Sequence, residues 1–315
     1  MSARFLGQRL AQALFVLWAT FTLSFVLLQL MPGDAILIRF VGGDMGLSPE
    51  AVAGIRAFYG ADAPVWQQYG QTLLSFLRGE FGFSIVSGVS VAQEIAANLP
   101  ATLWLSGLAF AAALTLAVTI ALLATLPPFA FLRETFASLP GLMVSIPVFW
   151  IGVVLIQVFS FRLGLVSVIA PGPWERLALP VAAIAVPIAA HIAQVLIRSL
   201  EAASAQPFVA VVRAKGASPA HVLFHHTVRN ALLPVLTIGG LLVGELLTSA
   251  VVTEAVFGLN GLGSLAVRSV RNQDTAVLQA IVVISALAFV TINLLVDLTY
   301  PIVDPRLRHG AEVPA

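Results

Sequence analysis

The sequence predicts an all-α polytopic membrane protein with six transmembrane helices, and three observations predict it. Of the 315 residues, 59% are hydrophobic and only 10% are charged, far from the rough quarter of charged residues in soluble domains; the mean hydropathy is +0.98. Six apolar runs, near 9–31, 102–125, 138–161, 177–198, 231–256 and 277–300, each reach the roughly 20 residues that a helix needs to cross a ~30 Å hydrocarbon core. None of them alternates strictly as a barrel strand would. Lipid offers the backbone no hydrogen-bond partner, so these runs must satisfy their own N–H and C=O groups as helices.

The first run, Leu10 to Met31, is longer than the apolar stretch of a signal peptide and has no A-x-A exit, so it reads as a membrane span. Residues 32–100 form an outer segment. Within it, LSPEAVAGIRAFYG (47–60) offers Ser48 as N-cap, Pro49 at the first helical position, Glu50 in the first turn and Gly60 as a stop. VWQQYGQTLLSFLRGEFG (65–82) carries a second apolar-periodic stretch that ends at Gly79. Two short helices against the outer membrane face are predicted. In the later runs Pro147, Pro180, Pro187 and Pro234 disturb their spans, either as hinges or as tolerated kinks.

Arginine and lysine fix the orientation. Arg4, Arg9, Arg133, Arg198, Arg213, Lys215, Arg229, Arg306 and Arg308 fall on the side of the amino terminus, against Arg162, Arg176, Arg268 and Arg271 on the other. The positive-inside rule then puts both termini in the cytoplasm. With no cysteine, disulfides and thiolate metal sites are excluded.

The densest polar feature is RAKGASPAHVLFHHTVRNALLP (213–234), which holds the only lysine, Lys215, and three of the five histidines. It lies between the fourth and fifth spans. Phe208 to Lys215 reads as a helix stopped by Gly216; Ser218 and Pro219 then supply the N-cap and first residue of a second helix reaching toward Arg229. On that helix Val222, Leu223 and Val228 are apolar, whereas Arg213, Lys215, His221, His225, His226 and Arg229 make the rest basic. Spacing alone serves two readings: a basic loop that touches lipid headgroups, or a surface that enters a cleft on another protein. His221 and His225 stand at i, i+4, but no third ligand accompanies them for a metal.

FVAVVRAKG (208–216) followed by HTVRNALLP (226–234) resembles the cytoplasmic loop of the permease subunits of bacterial ABC importers for dipeptides, oligopeptides and nickel. LMPGD (30–34), NLPATLWL (98–105), SIPVFWIGVVL (145–155), VFGLNGLGSLAV (256–267) and VDLTYPIVDPRLR (296–308) are similar to the same family in the same order, so the resemblance covers essentially the whole chain. It implies the type I ABC importer permease architecture: a single transmembrane permease domain over 1–315, with an N-terminal helix (1–31), the outer segment (32–100), a five-helix core (101–303) containing a cytoplasmic coupling loop (199–230), and a cytoplasmic tail (304–315). It further implies that Arg213, Lys215, Gly216, Ala217, Ser218, Pro219 and His221 dock on a cytosolic ATPase, with Gly216 as the elbow of the so-called EAA loop. The name-giving glutamate belongs six residues before that glycine, where this chain has Ala210; Glu201-Ala202-Ala203 lies too far upstream to replace it. The connection LPPFAFLRET (126–135) is also shorter and less basic than the family pattern.

The resemblance implies a non-catalytic subunit in a bacterial inner membrane. Its partners would be membrane lipid, a second homologous permease subunit, two cytosolic ATP-binding subunits that bind the ATP and Mg, and an external solute-binding protein, with no nucleic acid. The residues agree with that division of labour, because the chain has no G-x-x-x-x-G-K-[ST] phosphate loop. GLNGLGS (258–264) follows no strand and reads as a turn over the outer mouth rather than a dinucleotide site.

Ionisable groups within spans face a cavity or a partner. His191 falls in the fourth span, Glu245 in the fifth beside Gly240-x-x-x-Gly244, and Asp297 near the inner end of the sixth. Asp297 reads as an anchor. Glu245 reads either as a protonated acid bonded between helices or, with His191, as part of a translocation pathway that favours a cationic solute. The solute class implied is a di- or oligopeptide, with nickel or a metal chelate as the alternative. An intramembrane enzyme using Glu245 and Asp297 lacks any recognisable motif, and a secondary transporter has no use for the helix-elbow-helix loop.

Overall fold

A computed structural model describes residues 3–30, 50–51, 53–54 and 63–303. The described chain is helical: α1 (Ala3–Gln29), α2 (Val65–Leu77), α3 (Val91–Thr125), α4 (Ala130–Val144), α5 (Val148–Leu155), α6 (Glu175–Ser204), α7 (Pro207–Ala214), α8 (Pro219–Val222), α9 (Val228–Phe257), α10 (Leu262–Arg271) and α11 (Thr275–Val303). π-helical turns extend α5 through Ile156–Arg162 and join α8 to α9 through Leu223–Thr227. The only strand-like pairing among the described residues is a single bridge between Phe83 and Ser90. Most of the helix predicted over 47–60, the LMPGD stretch beyond Leu30 and the tail from Asp304 lie outside the described residues.

Among the described residues five helices are long and apolar enough to cross a membrane: α1, α3, α6, α9 and α11. The third predicted span, 138–161, is not one straight helix. It is α4 and α5, bent by 101° between Val144 and Val148. The cause is Pro147, which sits at φ −62° and ψ 140° and lacks the N–H that would continue the ladder. Ser145 and Ile146 close α4 with short turns onto Leu142 and Met143, and the Pro147 carbonyl starts α5 by accepting from Trp150 and Ile151. Part of the predicted 126–135 connection is therefore helix as well, since α4 begins at Ala130. Pro180 and Pro187 are carried inside α6, and Pro234 inside α9, without ending either helix.

Two compact units divide the chain. One comprises Thr102–Leu259 with Thr291 onward and the first seven residues. Its core sets Ala109, Ala113, Ala117 and Ala121 of α3, all fully buried at four-residue spacing, among Ile184, Ile188, Ala189, Ile192 and Ala193 of α6 and Leu242, Leu246 and Ala250 of α9. Lipid is as apolar as leucine, so such helices associate by close packing, and small residues let the backbones approach. Helix α6 is the inner member, with 67% of its most apolar stretch buried, and its broadest contact is with α9. Gly240 of α9 permits a further approach: a Cβ there would stand 3.3 Å from Asn293 Oδ1 and 3.4 Å from Val296, as the glycine pair in the sequence suggested.

The other unit comprises Gln8–Ala101 with Asn260–Val290. Here α2 does more than lie on lipid. Tyr69 and Phe76 stack edge-on against Phe21 and Phe25 of α1, and Thr22 and Tyr69 share a 2.9 Å hydrogen bond. Trp66 and Leu77 on the same helix are left exposed, which suits the membrane interface. As predicted, α2 ends just before Gly79, whose φ of +80° stops the helix. A second core packs Val91 and Ile95 of α3, Leu262 and Leu265 of α10 and Val277, Ala280 and Ile281 of α11. At 35 residues, α3 is about 50 Å long, and its first turns belong to this unit.

Candidate functional site

The loop between α6 and α9 folds as the residues dictate. Gly216 adopts φ +88°, a left-handed conformation that costs an L-residue roughly 1–2 kcal/mol. Its N–H reaches Arg213 O at 2.9 Å, and the N–H of Ala217 reaches Val212 O at 3.4 Å, the paired bonds of a Schellman cap. A Cβ on Gly216 would meet nothing within 4 Å, so backbone conformation and not crowding calls for glycine. Two residues on, Ser218 caps α8 by accepting from His221 N at 3.3 Å, with Pro219 at the first helical position.

The helix begun at Pro219 does not stop near Arg229 as predicted. It runs through the π turn, where Thr227 Oγ1 donates to Val222 O at 3.1 Å, and on through α9 to Phe257. Val222, Leu223 and Thr227 are buried on one side, and Val209 of α7 with them. Arg213, Lys215, Ser218, Pro219 and His221 are exposed, and Ala217 is half-buried. His221 and His225 stack with ring centroids 4.3 Å apart, and His226 lies 5.7 Å from His221. Sequence reasoning missed the apolar component of this surface: Phe208, Val211 and Phe224 are exposed beside the basic residues. Ala210, at the position of the family glutamate, is exposed too.

The two residues assigned to a pathway meet each other. His191 Nδ1 on α6 lies 3.9 Å from Glu245 Oε2 on α9, with side chains 33% and 40% exposed, and the same nitrogen is 2.9 Å from Pro187 O. The pair is partly open, between the two most intimately packed helices of its unit. Asp297 is half-buried on α11, and Glu245 meets His191 rather than this aspartate.

Two buried acids escaped the sequence reading. Glu254 is 1% exposed and accepts from Thr102 Oγ1 at 2.6 Å. Asp274 is 2% exposed; it accepts from Ser84 Oγ and Val86 N on one oxygen and from Val277 N, in the first turn of α11, on the other. It thereby caps α11 and ties down the 83–90 turn. Glu254 did carry a signal, an acid one turn before the end of an apolar run. Only the first part of GLNGLGS is a turn: Gly258 ends α9 at φ +65°, and Leu262–Ser264 already belong to α10, where Ser264 Oγ accepts from Gly261 N at 3.0 Å. Among the described residues no three His, Asp or Glu side chains converge on a metal position.

Comparison with known proteins places this architecture. Residues 117–309 match the profile of the binding-protein-dependent transport system inner membrane component. A probable peptide ABC transporter permease protein of Sinorhizobium fredii is 34% identical over 96% of this chain and 98% of its own length. A putative peptide transport system permease protein of Brucella abortus is 35% identical and a glutathione transport system permease protein of Escherichia coli 32% identical, each with the same coverage. Among solved structures, the inward-facing MetNI methionine ABC transporter shares the fold at a TM-score of 0.54, with 18% identity over 67% of this chain and 97% of the other. An amino acid ABC transporter with histidines does so at 0.52, with 20% identity over 65% and 92%. The chain belongs to the inner membrane components of binding-protein-dependent transport systems, the permease subunits of ABC importers.

Proposed function

We propose that this permease forms half of the solute pathway of an ATP-driven importer of short peptides, working by alternating access. The observation that carries the mechanism is the unbroken helical run from Pro219 to Phe257. An exposed basic and aromatic elbow heads the same rod that carries Glu245, about 36 Å further along. A push on α8 therefore reaches the pathway without crossing a flexible joint. Relatives named as peptide and glutathione permeases, alignable over 96% of the chain, support the solute class; none of the described residues gathers ligands for nickel.

In this reading the subunit performs no chemistry, and the single domain pairs with a homologous permease. Two cytosolic subunits bind and hydrolyse ATP with Mg. Arg213, Lys215, Gly216, Ala217, Ser218, Pro219 and His221 occupy a groove on one of them. Closure of the ATPases draws the two elbows together and turns the pathway outward; a solute-binding protein delivers its cargo, and hydrolysis resets the assembly. Both termini lie in the cytoplasm, the side that the arginine distribution favours. His191 and Glu245 form a polar station in an otherwise apolar passage and hold the ammonium end of a peptide.

The test is ATP hydrolysis by the complex reconstituted with its binding protein. Stimulation by di- to pentapeptides and none by nickel is the expected result. Stimulation by nickel alone sinks the peptide reading, and failure of any ATPase to co-purify sinks the importer mechanism.

A further inference from the structure

The unit built on Asn260–Val290 and Gln8–Ala101 contains a cleft of about 530 Å³. Its walls are the 84–89 turn, the first turns of α3 and the outer side of α10. The size falls within the roughly 300–1,000 Å³ of small-molecule sites. Its walls are rigid. Ser84 N bonds to Val89 O and Gly88 N to Ser84 O, and buried Asp274 fastens the turn to the head of α11.

Two opposite charges line the cleft, Glu94 and Arg268. Each is steadied by a neutral hydroxyl: Ser87 Oγ donates to Glu94 Oε1, and Arg268 Nη1 donates to Ser264 Oγ at 3.2 Å. Among the described residues neither has an ionic partner, and they do not pair with each other. The amides of Gln93, Asn98 and Asn272 complete the polar lining. A carboxylate and a guanidinium, held apart in one cleft with amides around them, match a ligand carrying an ammonium and a carboxylate joined by peptide groups. A compact cleft of this volume is roughly 10 Å across, and two or three extended residues span at most about 7–11 Å.

We propose that this cleft holds a short peptide by both ends, the amino terminus at Glu94 and the carboxyl terminus at Arg268, as an outer station separate from His191 and Glu245. The proposal rests on the peptide-importer reading. The test is equilibrium binding of radiolabelled trialanine to the assembled complex in lipid nanodiscs, without the binding protein. Saturable binding is expected. Acetylating the amino end and amidating the carboxyl end should weaken it at least about tenfold, as should Glu94→Gln or Arg268→Gln, each removing one charge-assisted contact. Asn272→Ala, at the exposed rim, should weaken it severalfold. Arg133→Gln, an exposed charge on α4 that is no part of the cleft lining, should leave it unchanged.

Equal binding of capped and free trialanine, or wild-type binding by both charge variants, overturns the proposal. An uptake assay on the same complexes separates the two levels of inference. Uptake of trialanine by a complex that shows no cleft binding leaves the peptide importer standing and removes the outer station. Absence of uptake for any short peptide removes both. Normal trialanine binding in the variants together with lost docking of the solute-binding protein would make the cleft a protein contact and also overturns the proposal.

Discussion

Thr102 on α3 donates a 2.6 Å hydrogen bond to Oε1 of Glu254 on α9, and both side chains are sealed off, at 3% and 1% exposure. A buried carboxyl costs free energy unless its oxygens are engaged, so this bond makes an acid at the end of α9 tolerable. Thr102→Val keeps the shape and removes the donor. It is expected to lower stability by about 1–3 kcal/mol, the cost of leaving a buried polar group short of a partner. Glu254→Gln, which retains an acceptor at the same place, should cost less. Thermal unfolding of the detergent-solubilised protein checks both, and a Thr102→Val protein as stable as wild type contradicts the account.

Asp274 makes a comparable prediction for the other unit. Its carboxylate caps α11 through Val277 N and holds Ser84 Oγ. Loss of an N-cap costs about 0.5–2 kcal/mol, and the hydroxyl left behind adds about 1–3 kcal/mol. Asp274→Ala should therefore destabilise by about 1.5–5 kcal/mol, and the 83–90 turn should become the first site of proteolytic cleavage. Asp274→Asn keeps the cap and should recover much of the loss.

What the sequence made legible follows the range of the forces involved. Gly216, Ser218 and Pro219 could be placed because a left-handed residue, a cap and a first-turn proline are demands made within four residues of chain. The spans were legible because lipid imposes one length and one composition. Glu254 and Asp274 were not, since their partners lie 152 and 190 residues away and nothing local identifies those partners. The prolines show the same boundary. All four break the ladder, but only Pro147 turns the chain, because its extended ψ opens a new helix, whereas Pro180 and Pro187 are buried within α6. Sequence identified His191 and Glu245 separately; their meeting needed the packing of α6 on α9.

Gly216 yields a prediction about coupling. Its φ of +88° excludes side chains on conformational grounds while the surrounding space is open. Gly216→Asn should be tolerated better than Gly216→Ala, and Gly216→Val least, because asparagine visits the left-handed region most readily and β-branched residues least. The membrane helices should remain folded in all three. Peptide-stimulated ATP hydrolysis should fall in that order, and equal coupling by the asparagine and valine variants would show that the elbow conformation is immaterial.

His191 and Glu245 provide the last prediction, which concerns transport and not folding. The pair is 3.9 Å apart and a third or more exposed, so Glu245→Gln should leave expression and thermal stability close to wild type. In the proposed role it removes the negative charge that receives an ammonium end. Uptake of trialanine should fall about tenfold, the effect of losing one charge-assisted hydrogen bond. Uptake of an N-acetylated peptide, already slow in the wild type, should change little. Basal ATP hydrolysis, which the proposed mechanism assigns to the elbow, should stay as it was. Equal losses for free and acetylated peptides would mean that Glu245 supports the packing of α6 and α9 instead of contacting the solute.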